Sequence, residues 1–424
     1  MRDRDHSLRI GGRIGALCVG LALAAAAAPG ADDPLDPLDD ALSVSGWNDA
    51  VRARVSGTLD LEVYHFQSAA PGLIFTDQAT LFNPRLSLFL DAQLGSRVYF
   101  FAVSRADRGF DTGDGRAQMR LDEYAVRITP WEDDRLSLQI GKFATVVGNW
   151  TPRHGSWEDP FITAPLPYDN LTGIWDTTAA RSGAELLAWA GIRPPPSIGG
   201  VYLEKYRSVP VIWGPSYASG SAVFGELGML DYAAELKNAS LSSRPETWDS
   251  TEAQWSHPTL SGRVGFRPDE AWTFGVSAST GPYLRTTALI PAGTGLGDYR
   301  ETVIGQDAGY SWHHWQLWAE LFEARFAIPG VGNAGTTLYY AEARYAFTPQ
   351  FFGAVRWNQE FFSTVPVAGS GPARWGRNVS RADVGPGYRF TPHTQLKLQY
   401  SLQREDADQR AWNALVAMQL TVKF

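Results

Sequence analysis

Val51-Arg52-Ala53-Arg54-Val55-Ser56-Gly57-Thr58-Leu59-Asp60-Leu61-Glu62-Val63-Tyr64 alternates small or apolar residues with polar ones almost without a break. Successive side chains of an extended strand point to opposite faces, so this stretch carries one apolar and one polar face. The same two-residue period returns at Leu86, Leu88, Leu90, Ala92 and Leu94, and at Leu396, Leu398, Tyr400 and Leu402. It returns once more in Ala414, Val416, Met418, Leu420, Val422 and Phe424. Strands of about ten residues with a single apolar face have the length and pattern of a lipid-embedded β-barrel.

A soluble sandwich also alternates, so the spacing of the segments has to decide. Sixteen candidate strands can be marked: 49–66, 84–94, 97–107, 119–129, 134–144, 218–227, 230–240, 259–267, 271–280, 301–312, 315–326, 336–347, 351–361, 379–390, 394–404 and 412–424. Short connections such as Gly95-Ser96, Gly228-Met229 and His313-His314 alternate with long ones over 67–83, 108–118, 145–217, 241–258, 281–300, 327–335, 362–378 and 405–411. An even-stranded, up-and-down, antiparallel transmembrane barrel needs that alternation, with turns on the periplasmic side and loops outside. The fold expectation is therefore an all-β transmembrane barrel of 16 strands. A further hairpin over 183–191 and 199–207 leaves 18 strands as the alternative. Residues 301–312 alternate weakly, and Pro386 removes a ladder donor in mid-strand.

Composition agrees. The 424 residues include 16 Trp, 16 Tyr and 21 Phe, a load that suits membrane interfaces. The mean hydropathy of -0.21 excludes a bundle of transmembrane helices. A net charge of -8 argues against nucleic acid as a partner. Phe266, Trp272, Trp315, Phe347, Phe351, Tyr388, Phe390 and Phe424 fall near the turn ends, where they can form an aromatic belt. At the N-terminus Arg2, Arg4, Arg9 and Arg13 precede an apolar run from Ile14 to Ala28, the pattern of an export signal over 1–27. The single cysteine, Cys18, lies inside it. Residues 28–48 read as an acidic periplasmic linker, and 49–424 as the barrel.

The terminal stretch Asn413 to Phe424, ending in an aromatic residue, resembles the assembly signal of bacterial outer-membrane barrels. Leu138-Gln139-Ile140-Gly141-Lys142-Phe143, followed by Val147-Gly148-Asn149-Trp150, resembles the fifth-strand region of the sixteen-stranded porins, including the phosphate-selective O/P porin family. That resemblance implies the outer membrane of a Gram-negative-type bacterium, lipid around the barrel, a homotrimer, and a loop after strand 5 that folds into the lumen. The longest connection here, 145–217, stands at that position. No dense lysine series is present, so phosphate selectivity does not carry over.

A barrel of this size encloses an aqueous channel whose selectivity follows from its lining charges. On the eight strands with the clearest faces, the polar side carries Arg52, Arg54, Arg85, Arg263, Arg267, Arg344, Arg356, Arg381, Arg389, Lys397 and Lys423. The acids on the same faces are Asp60, Glu62, Asp91, Glu342, Glu360 and Asp383. This excess of cations points to passive diffusion of small hydrophilic solutes with a weak preference for anions. The other reading is that the arginines pair with lumenal acids and brace the wall. Constriction candidates in 145–217 are Arg153, His154, Trp157, Asp159, Tyr168, Asp169 and Trp175; their aromatic rings suit sugar faces or the packing of the loop itself. No cofactor or metal is called for, and no histidine falls in a nucleophile or metal-ligand spacing, so an enzyme is not expected. The alternative function is a structural barrel that anchors or sheathes an exported partner.

Overall fold

The computed structural model describes residues 35, 37, 41–47, 50–76, 78–107, 118–131, 134–191, 207–245, 255–406 and 412–424. The export signal expected over 1–27 lies outside the described residues. The wall is built from sixteen antiparallel strands. The first eight are β1 (Val51–Phe66), β2 (Thr80–Leu94), β3 (Val98–Asp107), β4 (Gln118–Ile128), β5 (Ser137–Phe143), β6 (Ala218–Leu227), β7 (Leu230–Lys237) and β8 (Thr259–Phe266). The second eight are β9 (Trp272–Pro282), β10 (Arg300–Trp312), β11 (Trp315–Ile328), β12 (Gly332–Ala346), β13 (Phe351–Phe362), β14 (Val379–Arg389), β15 (Thr394–Glu405) and β16 (Asn413–Lys423). Each pairs with its neighbours in sequence, and β16 pairs back onto β1, from Leu415 opposite Phe66 to Lys423 opposite Thr58. Closure leaves no unpaired edge among the spanning strands, as an apolar solvent requires.

The alternation places apolar side chains outside. Ile140, Val264, Val276, Val355, Val384 and Val416 are all exposed on the outer face, which a water-soluble protein of this size would not tolerate in such continuity. Near the turn ends Phe266, Trp272, Trp315, Phe347, Phe351 and Tyr388 are exposed as well, forming the aromatic belt. The ring of Phe424 instead packs over Gly57, whose backbone exchanges hydrogen bonds with that of Phe424.

Three local features depart from the sequence expectation. The eighteen-strand alternative is overturned because Gly183–Gly191 is a helix. Its Ala- and Leu-rich run favours that state, and Ser182 and Glu185 cap its first turn by accepting the N–H groups of Glu185 and Arg181. Residues 199–206 lie outside the described residues. The connection over 327–335 is not a long loop: pairing continues to Ile328 opposite Gly332, and Gly330 and Gly332 supply the positive φ angles of 81° and 106° for a tight turn. In the stretch expected to be a linker, Ser43–Gly46 forms a short strand against Val51–Arg54.

A bulge in β4 brings Asp122 and Glu123, adjacent in sequence, both to the inner side, because the register against β3 shifts between Val103 and Ser104. Pro386 keeps its place opposite Gly353, while pairing of β14 with β15 stops at Val384 and resumes at Gly387 without a register change. In β5, Gly141 adopts φ 148°, and a Cβ there would lie 2.1 Å from the Tyr124 carbonyl oxygen. G141A is expected to cost about 3 kcal/mol through strain and the loosened β4–β5 pairing. The check is the urea midpoint of the barrel in detergent, which should fall.

Candidate functional site

The segment after β5 runs inward and lies against the inner wall. Wall carboxylates receive its backbone and hydroxyl donors. Glu235 on β7 accepts from the Thr145 hydroxyl (2.7 Å) and the Val146 N–H (3.3 Å). Glu320 on β11 accepts from the N–H groups of Asn149 and Trp150 and from the Tyr168 hydroxyl, the last at 2.8 Å. Glu360 on β13 accepts from the Asn170 amide. Wall cations do the reverse: Lys397 on β15 donates to the carbonyls of Asp159 (2.8 Å) and Phe161 (3.1 Å), and Arg356 on β13 donates to that of Thr163 (2.7 Å). A buried peptide group needs such a partner, so the polar wall fixes the loop at each point where its backbone leaves water.

Apolar packing completes the seat. Phe322, Ala324, Phe326 and Ile328 of β11 and Leu338 and Tyr340 of β12 face inward and are buried in one core with Val147, Trp150, Tyr168 and Trp213 of the loop. On this side the loop's aromatic residues pack its own core.

The candidate constriction residues separate into two groups. Arg153 donates to Glu342 (2.6 Å) and Tyr340 (2.9 Å) and stacks over Trp318. Asp159 accepts from the Trp150 indole, and Asp169 bonds Arg381 and the Leu73 N–H, tying the 67–79 loop to the same cluster. His154 Nδ1–H donates to the Thr151 carbonyl, so the Tyr217 hydroxyl donates to Nε2 at 2.9 Å. Burial lowers the pKa of His154 against the opposing pull of the Thr151 hydrogen bond, and the charge of Arg105 acts in the same direction as burial. Trp157 lies against Arg389 and Lys423. Tyr168 is wholly buried against Glu320. Trp175, by contrast, stacks on Trp189 (4.2 Å) and belongs with the outer loops, where the adjacent Asp176 pairs with Arg285.

The wall residues singled out from sequence all stand at inward positions of the register or just beyond. Arg85, Arg263, Arg356 and Arg381 are ion-paired with carboxylates. Among the described residues Arg344 and Arg389 bond glutamine oxygens rather than carboxylates, those of Gln316 and Gln395. Arg52 and Arg54 are exposed beside the short strand Ser43–Gly46, and Arg267, also exposed, pairs with Glu226 and Asp231. The strands left out of the sequence count change the sum. They add the inward acids Asp107, Asp122, Glu123, Glu226, Asp231, Glu235, Glu301, Asp307 and Glu320, against Arg105, Arg120, Arg127 and Lys237. The cation excess therefore does not extend to the whole wall. Reading the two-residue period onward through 99–107 would have found Arg105; the bulge hid Asp122 and Glu123.

Position, rather than number, distinguishes the charges. Asp60 and Glu62 are 1% and 0% exposed while their partner Arg85 is 18% exposed. Asp107 and Asp122 lie beneath Arg105, Glu342 beneath Arg153, and Asp307 beneath Arg263. At these pairs the acids rooted on the wall are covered by guanidinium arms, whereas Asp231 and Glu226 are slightly more exposed than the arginines they meet and Arg356 is as buried as its acids. Among the described residues no group of His, Cys, Asp and Glu is arranged to hold a metal ion.

Known structures with the same fold can be compared at this point. OmpF of Salmonella typhi, solved with daunomycin, superposes with a TM-score of 0.54 at 12% identity over 90% of this chain and all of its own. An anion-selective porin from Comamonas acidovorans gives 0.52 at 10% identity over 88% of this chain and all of its own. The trimer form of OmpT, an outer membrane protein of Vibrio cholerae, gives 0.50 at 9% identity over 89% and all of its own. No protein-family model matches the sequence, and no curated protein matches it either. The fold is that of the sixteen-stranded outer-membrane porins.

Proposed function

We propose that the chain is an outer-membrane porin, a water-filled channel for passive diffusion of small hydrophilic solutes, with a mild preference for anions. The carrying observation is the layering of charge at four places: the carboxylates beside Arg85, Arg105 and Arg153, and Asp307 beside Arg263, are buried, and in each pair the arginine is the more exposed member. A permeating ion meets the outer member of each pair first, and the field near it is that of the cation. The described residues of 145–217, Arg153, His154 and Trp157 among them, narrow the passage. Passage needs no catalytic step and no cofactor.

The membrane lipid is met by the apolar exterior, and a bacterial outer membrane is the setting in which closed barrels of this kind stand. A homotrimer is in keeping with the trimer form of the Vibrio cholerae protein. The partner-sheathing alternative is not favoured, because the loop occupies the inner wall from β11 to β15 that a sheathed partner would need.

In planar bilayers under a KCl gradient the reversal potential is expected to favour chloride. R85Q combined with R105Q uncovers Asp60 and Glu62, leaves Asp107 and Asp122 with Arg120 alone, and is expected to shift the potential toward potassium. A wild-type potential favouring potassium would remove the anion preference and leave the porin.

A further inference from the structure

We infer that Trp157, Arg344, Arg389 and Lys423 form a binding site for a small dicarboxylate at the turn end of the interior, beneath the constriction. The inference rests on the porin reading above and adds to it a place and a ligand class. Most of the described interior arginines are answered by carboxylates, and their charge is largely cancelled. These three cations differ, as does Arg127 on another strand, which also bonds the glutamine across its ladder. Among the described residues, no carboxylate lies within ion-pair distance of Arg344, Arg389 or Lys423.

Their neighbours are neutral. Arg344 donates to the Gln316 side-chain oxygen at 2.5 Å and stacks over Phe352 at 4.3 Å. Arg389 donates to the Gln395 side-chain oxygen at 2.9 Å. Each glutamine stands directly across the ladder from its arginine, so the pair is built into the register. An amide oxygen fixes a guanidinium in orientation without neutralising it. The Arg389 guanidinium lies 5.2 Å and the Lys423 ammonium 4.5 Å from the centre of the one Trp157 ring. A ring quadrupole attracts both cations and cancels neither. Glu158 of the loop, which acts on Arg389 through its charge, is exposed to water.

The site is therefore pre-formed, positive and lined by an aromatic ring, and it lies where solute entering from the turn side first meets the loop. One indole answers two cations and leaves both charges uncancelled. A ligand with two separated carboxylates satisfies both, whereas a compact anion satisfies one at a time. Arg344 stacks over Phe352, which stands across the ladder from Gly387, two residues from Arg389, and supplies the third charge.

The test uses single channels of the full-length protein in KCl, with succinate, acetate or inorganic phosphate added. Succinate is expected to interrupt the current in resolved closures, and acetate and phosphate to leave it unbroken. R389Q and K423Q are each expected to shorten the closures about tenfold, since affinity differences among variants of one site appear chiefly in the dissociation rate. R325Q, on the lipid-facing side, is expected to leave them unchanged, and recovery of stepwise conductance shows that each variant is folded. A chloride-favouring potential without succinate closures, or with closures unaltered in R389Q and K423Q, would overturn the site and keep the anion-favouring porin. Closures with phosphate and not succinate would overturn the ligand class. A potassium-favouring wild-type potential would instead count against the reading on which the site rests.

Discussion

Replacement of Arg356 by alanine is expected to cost about 3–5 kcal/mol, the range for leaving buried charges without their partner. Arg356 is fully buried in the interior and joins three parts of the molecule. Its Nε donates to Asp383 (2.9 Å), one terminal nitrogen to Glu342 (3.3 Å), and the other to the Thr163 carbonyl (2.7 Å), while Phe161 packs on its face. Arg153 and Arg381 remain beside the two acids after the substitution, but neither reaches the Thr163 carbonyl. The heat needed to convert the folded barrel to the unfolded form in electrophoresis should fall clearly. Lysine is expected to rescue little, since a single ammonium cannot reproduce the three-way fork. A wild-type transition in R356A would show that the bonds around Arg356 do not support the wall.

E320A is expected to act on conduction. The Glu320 carboxylate gathers the backbone of Asn149 and Trp150 and the hydroxyl of Tyr168, so one substitution releases the first turn of the inward loop from β11. Leaving those buried donors unanswered costs about 2–4 kcal/mol in docking. Undocked, the loop leaves the wall, and single-channel conductance should rise and become noisy. E320Q retains one acceptor oxygen and should fall between the two. Conductance and noise equal to wild type in E320A would place the constriction away from this attachment.

Most of the barrel was legible because lipid outside and polar groups inside force a two-residue period that the sequence has to carry. All sixteen strands fall within a few residues of the positions read from that period. It became unreadable where the inside ceased to be polar. Phe322, Ala324, Phe326 and Ile328 on β11 face inward yet are apolar, because the loop and not water lies against them. The weak alternation of 301–312 has a related cause: Gly305 and Gly309 stand at inward positions, where the Phe322 ring crowds Gly305 and Thr273 crowds Gly309. In the site, the period identified Arg344 and Arg389 but not that glutamines oppose them, since pairing depends on register across strands. The partnership of Glu320 with Tyr168 spans 152 positions of sequence and left no local sign.

Those spans bear on the order of assembly. The inward loop leaves the wall after β5, but its seats lie on strands made much later: Ile162 bonds Gln399 from 237 positions away, and Asp159 receives Lys397 from 238. Until β11 to β15 are in place only the start of the loop, Ala144 to Val146, has wall partners, Glu123 and Glu235, and contacts between such distant positions form slowly. The cylinder must therefore be nearly complete before its interior fills, and a newly closed chain passes through a wider, unobstructed stage before the loop settles.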